Sequence, residues 1–165
     1  MNQKKLLEEI KNYTLQHIPY DDIHGYGHTE RVHHMCIEIG KKLDANIFVL
    51  EIAALLHDIG RFSEDFKHIN KNHAEISANL ASEYLQTIDF RFNKTDFDNI
   101  IHCIHSHSFS NQKLPKTLEA KILSDGEKLD ALGAIGLYRT IGYTTKMDGN
   151  IQEWDLFPAR DFKIG

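Results

Sequence analysis

Apolar positions recur at helical spacing through most of the chain. Leu6, Leu7 and Ile10, with Leu15 beyond them, place one apolar face on a first helix. Pro19 and Asp21-Asp22 interrupt it, and His24-Gly25-Tyr26-Gly27 reads as a turn in which glycines permit unusual backbone angles. Val32, Cys36, Ile39 and Leu43 mark a second amphipathic helix that opens near His28 or Thr29. The stretch from Phe48 to Leu56 is apolar on most sides, as in a helix buried all round, and Gly60 can end it. The polar run from Arg61 to Asn72 reads as a loop, and Ile76, Leu80, Tyr84 and Leu85 form the face of a fourth helix. Thr95, followed three residues later by Asp98, is the expected cap of a fifth helix carrying Ile100, Ile101 and Ile104. After Pro115 the pattern predicts one long last helix from about Leu118 to Ile141. Few stretches alternate as strands do, and no repeat is visible. The expectation is a single all-α domain over residues 1–165, with a core of about 20–142 and an irregular tail over 143–165.

Composition narrows the function classes. A chain of 165 residues can bury a core of its own, and its 41% hydrophobic and 26% charged residues are ordinary for a globular protein. A net charge of -5 and the lack of a basic run argue against binding a nucleic-acid polymer. The first residues lack a signal-peptide core, and no apolar run is long enough to span a bilayer, so no membrane association is expected. Cys36 and Cys103 are far apart and form no CxxC pair, which fits a reducing compartment; the reading is cytoplasmic. Eleven histidines are many for this length and point to metal or phosphate chemistry.

That chemistry has a natural focus at His57-Asp58, where an imidazole and a carboxylate close the most apolar helix. A carboxylate near a helix C-terminus opposes the helix dipole, an arrangement that a bound cation offsets. His28 upstream and Asp125 downstream sit in contexts that suit further ligands, so that three helices would converge on one ion. Two imidazoles and two carboxylates suit Mn, Fe, Ni, Zn or Mg, and in an octahedral ion they leave two positions, for water and for a phosphate oxygen. Plainer roles stand beside these. His28 can be a turn residue among glycines, and Asp125 can pair with Lys128.

The ordered series is more specific than its members. His24 to Val32, then Ala53-Ala54-Leu55-Leu56-His57-Asp58-Ile59-Gly60, His73 to Ala78, His102 with His107-Ser108-Phe109-Ser110, and Leu118 to Asp125 running on to Gly136 resemble the HD-domain superfamily of metal-dependent phosphohydrolases. Within it the chain is similar to the small bacterial HD nucleotide pyrophosphohydrolases. The resemblance implies a helical bundle around a buried divalent metal site, with His28, His57, Asp58 and Asp125 as ligands. Manganese is the favoured ion, ahead of Mg2+, Fe2+, Ni2+ or Zn2+. It also implies Asp58, His73 and His102 as catalytic groups, and Arg31, His107 and Lys128 as contacts to a phosphate-bearing substrate. Three departures stand out. Gly126-Glu127-Lys128 replaces the Ala-Asp and then Arg or Lys usual in relatives, and the C-terminal region is shorter than theirs. Arg61 and Phe62 stand where stringent-response HD hydrolases carry an acidic pair, which disfavours that chemistry; Glu64 and Asp65 follow slightly later, as loop charges or as catalytic groups.

The resulting expectation is metal-assisted hydrolysis of a small phosphate ester, foremost a nucleoside triphosphate cleaved to monophosphate and pyrophosphate. A nucleotide phosphomonoesterase is the alternative within enzymes, followed by a cyclic-nucleotide diesterase. A non-catalytic HD domain that binds a nucleotide and a protein partner is the alternative outside them, and a homodimer is the expected assembly if a covering helix is missing.

Overall fold

A computed structural model describes residues 1–21, 23–63 and 72–146. Among the described residues there are seven α-helices and no strand: α1 (Gln3–His17), α2 (Tyr26–Lys42), α3 (Ile47–Leu56), α4 (His73–Thr87), α5 (Lys94–Ser106), α6 (Leu118–Asp130) and α7 (Gly133–Lys146). The fold is all-α, as its periodicity predicts. No helix among the described residues is long and apolar enough to cross a membrane.

The centre of the bundle is α3. Its ten residues, IFVLEIAALL, bury Val49, Leu50 and every position from Ile52 to Leu56. A helix this apolar can be stable only with neighbours on all sides, and α1, α2, α5 and α6 pack around it. Leu6 and Ile10 of α1, Val32 and Cys36 of α2, Ile100 and Ile104 of α5, and Ala120 and Leu123 of α6 are all fully buried in the same core. Because α3 is short, this packing, rather than helix propensity, holds its C-terminal end where the HD pair emerges. Thr14 Oγ fixes that end by donating to the Leu55 carbonyl at 3.1 Å, and the Gly60 amide donates to Ser77 Oγ of α4 at 2.9 Å.

Asparagine sets most of the helix starts. Asn2, Asn46, Asn72 and Asn93 each accept a backbone N–H of the first turn, and Thr117 does so for α6. The expected cap at Thr95 is therefore corrected to Asn93, whose side chain takes the Asp96 amide at 2.8 Å. The second helix also starts earlier than expected, at Tyr26. The Asp21 carboxylate accepts the amides of Ile23, His24 and Gly25 at 2.9 to 3.1 Å, winding the turn that delivers His28 on the first turn of α2.

The expected single last helix is two. Its period runs unbroken through Leu129, Leu132 and Ile135, but α6 stops at Asp130 and α7 starts at Gly133, whose φ of 65° lies in the left-handed region. Gly126 lies inside α6, where glycine costs roughly 1 kcal/mol relative to alanine. Its position offsets part of that cost: a Cβ there would stand 3.0 Å from Cys36 Sγ, so glycine brings α6 close against α2.

Candidate metal centre

Four side chains from three parts of the core meet at one point. His28 comes from the first turn of α2, His57 and Asp58 follow the last turn of α3, and Glu127 comes from α6. His28, His57 and Asp58 are fully buried, and Glu127 is 17% exposed. His28 Nε2 lies 3.4 Å from His57 Nε2 and 3.2 Å from Glu127 Oε1. Asp58 Oδ2 is 3.8 Å from His28 Nε2 and 3.9 Å from His57 Nε2. Ligands bound at about 2.1 Å to one octahedral ion are about 3 Å apart when adjacent and about 4.2 Å apart when opposite. The observed separations fall in that interval, so one divalent ion fits between these atoms.

The hydrogen bonds around the cluster prepare the donors. His28 Nδ1 donates to Asp130 Oδ2 at 2.7 Å, and His57 Nδ1 donates to the Ala54 carbonyl at 2.7 Å. With Nδ1 committed, Nε2 of each ring faces the cluster, the atom through which a histidine held this way would ligate an ion. Asp130 is itself clamped: Arg31 donates Nε to Oδ1 at 2.7 Å and Nη2 to Oδ2 at 3.1 Å, and Arg139 of α7 adds Nη1 to Oδ2 at 2.7 Å. Arg139 also donates to the Ile23 carbonyl and to His24 Nδ1, which ties α7 to the turn before α2.

Electrostatics give the same picture. Burial works against a charged His28, but Glu127, with Asp130 and Asp58 behind it, raises its pKa to about 9. Without a metal ion, a proton thus supplies the positive charge the cluster calls for. Burial would push Asp58 and Glu127 up, yet both are held well below the usual carboxylate range, Asp58 by Arg61 and His57 and Glu127 by His28 and His57. Burial likewise opposes ionised Asp130, and His28 and Arg31 outweigh it to hold that carboxyl low. Burial depresses His24 to about 3, with Arg61 and Arg139 adding to the effect. His73 also falls to about 3 through burial, against Asp58 and reinforced by Arg61, so its ring is neutral at ordinary pH.

The structure brings some of the expected site residues together and not others. His73 and His107 join the cluster from its far side, each with Nε2 3.5 Å from Asp58 Oδ1. Arg31 is linked to His28 through Asp130. His102 points elsewhere and accepts the Lys116 amide at 2.9 Å. Asp125 is not in the cluster: its side chain is 64% exposed and pairs with Lys128, itself exposed, at 3.0 Å. The carboxylate that arrives is Glu127, two residues on and roughly 200° further round the helix. Leu123, Glu127 and Asp130 recur at i, i+4 and i+7 along the inward face, a signal that residue type alone had obscured. Asp130, Arg139 and Arg61 were not expected at the site. Glu64, Asp65 and most of the tail lie outside the described residues.

Residues 25–132 match the family model of the HD domain. This chain belongs to the HD-domain family. The uncharacterized protein YpgQ of Bacillus subtilis is 32% identical over 145 residues, covering 84% of this chain and 66% of its own length. An HD-superfamily hydrolase from an uncultured Thermotogales bacterium superposes with a TM-score of 0.68 at 31% identity, covering 94% of this chain and 87% of that one. YpgQ solved in complex with ADP gives a TM-score of 0.67 at 27% identity, covering 90% and 70%. This HD-domain chain therefore spans about two thirds of the length of YpgQ, with its metal-compatible cluster inside the matched region.

Proposed function

We propose that this HD domain is a metal-dependent hydrolase of nucleotides, cleaving a nucleoside triphosphate to monophosphate and pyrophosphate. The observation that carries the reading is the convergence of His28 Nε2, His57 Nε2, Asp58 and Glu127 on one point, with both histidine Nδ1 atoms already committed. The YpgQ structure that contains ADP supports a nucleotide as the ligand class.

His28, His57, Asp58 and Glu127 would hold the ion. A divalent ion held there supplies Lewis acidity, lowering the pKa of a water molecule and polarising a phosphoryl oxygen. The protein's part is preorganisation. Asp130 and the Ala54 carbonyl keep both imidazoles in the tautomer that presents Nε2, and Arg31 and Arg139 keep Asp130 in place, so little reorganisation remains when the ligands are called on. His73 and His107 line the far side of Asp58, each with Nε2 3.5 Å from its Oδ1. Burial of the cluster removes competing water, which strengthens each electrostatic contact.

The test is product identity. Metal-stripped protein resupplied with Mn2+ is incubated with a panel of nucleoside tri-, di- and monophosphates, and the products are assigned by phosphorus NMR. Pyrophosphate with a nucleoside monophosphate is the expected result. Inorganic phosphate alone would replace the reading by a phosphomonoesterase. Nucleotide binding without turnover under any divalent ion would replace it by a binding domain.

A further inference from the structure

Behind the four-ligand cluster lies a second group of donors that the proposed mechanism does not need as ligands. Asp58, His73 and His107 each offer one atom, all within 4.8 Å of one another. Asp58 Oδ1 and His107 Nε2 are buried, 3.5 Å apart, and make no hydrogen bond. His107 donates Nδ1 to the Ile104 carbonyl at 2.6 Å, which leaves its Nε2 facing a carboxylate oxygen. A ring nitrogen and a carboxylate oxygen placed so call for a positive charge between them. A carboxylate with one oxygen toward each of two donor groups is also how a bridged pair of ions, about 3.5–4 Å apart, is held in two-metal hydrolytic sites.

Arg61 changes that outcome. Its Nε donates to Asp58 Oδ2 at 2.8 Å, and its Nη2 lies 3.0 Å from His73 Nε2. Arginine only donates, so His73 Nε2 is the acceptor, and an imidazole nitrogen has one lone pair. An ion bound along that lone pair at about 2.1 Å would lie about 1 Å from the guanidinium nitrogen, so the two exclude each other. With His73 taken, His107 and Asp58 Oδ1 are the two donors left among the described residues, fewer than a divalent ion is normally held by.

We propose that Arg61 stands in place of a second divalent ion, so that this centre takes one ion and uses a guanidinium as its second positive charge. This rests on the reading of His28, His57, Asp58 and Glu127 as a metal centre. Arg61 is then a positioning residue: it orients Asp58 and His73 and fixes the metal stoichiometry. A single guanidinium also limits the buried charge, since two divalent ions beside Arg61 would crowd like charges in a site with few carboxylates.

Metal counting tests this without an activity assay. Wild type, Arg61→Ala and Arg61→Ser are stripped, equilibrated with excess Mn2+, freed of unbound ion and analysed for manganese per chain. Circular dichroism checks their folding. One ion in the wild type and two in the alanine and serine variants is expected, with the variants showing the exchange-coupled electron paramagnetic resonance of a bridged pair. Two ions or a coupled spectrum in the wild type overturns the proposal, a test that holds even if neither variant folds. Folded variants that stay at one ion overturn it too, while leaving the metal centre intact. No manganese in any form of the protein overturns the metal-centre reading and the proposal with it.

Discussion

Replacing Asp58 by asparagine is expected to lower metal-dependent hydrolysis to less than about one hundredth of the wild-type rate. Outer partners of metal ligands typically cost 10–100-fold when mutated, so a carboxylate that contacts the ion itself costs at least the upper end of that range. Asparagine keeps the shape and one acceptor oxygen, so the Arg61 bond at 2.8 Å can persist in part while the charge is lost. The charge is what matters. Asp58 is wholly buried, held ionised against burial by Arg61 and His57, and flanked by His28, His73 and His107. Some stability falls with it, because Arg61 loses its counter-ion. Rates are therefore measured well below the melting temperature, with helical content checked on the same sample. A folded Asp58→Asn protein that retains full rate is incompatible with the site described.

The second large effect separates two neighbouring carboxylates. Glu127→Gln is expected to weaken Mn2+ binding by more than about 100-fold, by the same comparison with outer partners. Asp125→Asn is expected to change it by less than about twofold, because an exposed pair such as Asp125 with Lys128 is worth little. Isothermal calorimetry on metal-stripped proteins reads both. The reverse ranking would return the second carboxylate position to Asp125 and mean that α6 is rotated relative to the arrangement seen here.

Much of this architecture is legible in the sequence, because periodicity and burial are one physical fact. The apolar run from Phe48 to Leu56 identified the central helix, and with it the place where His57 and Asp58 leave the core. The helix break between Asp130 and Gly133 was hidden, because Leu129, Leu132 and Ile135 keep a helical period across it and only backbone angles mark the stop, a ψ of 2° at Ala131 and a φ of 65° at Gly133. Residue type draws attention to Asp125, but helical spacing from Leu123 leads to Glu127 and Asp130, and the structure places Asp125 in solvent beside Lys128. The commitment of His57 Nδ1 to Ala54, and of His107 Nδ1 to Ile104, depends on the backbone turn three residues earlier, which residue identity does not announce. Arg61 lies one turn from Asp58 and could have been paired with it by spacing alone, but its reach to His73 depends on how α4 packs.

Whether one divalent ion sits among His28, His57, Asp58 and Glu127 decides every role given to these residues. Diffraction from crystals equilibrated with Mn2+, recorded at the manganese absorption edge, tests it most directly. An anomalous peak is expected at about 2.0–2.3 Å from His28 Nε2, His57 Nε2 and carboxylate oxygens of Asp58 and Glu127. An empty cluster at saturating Mn2+, or a peak held by Asp125, would contradict it.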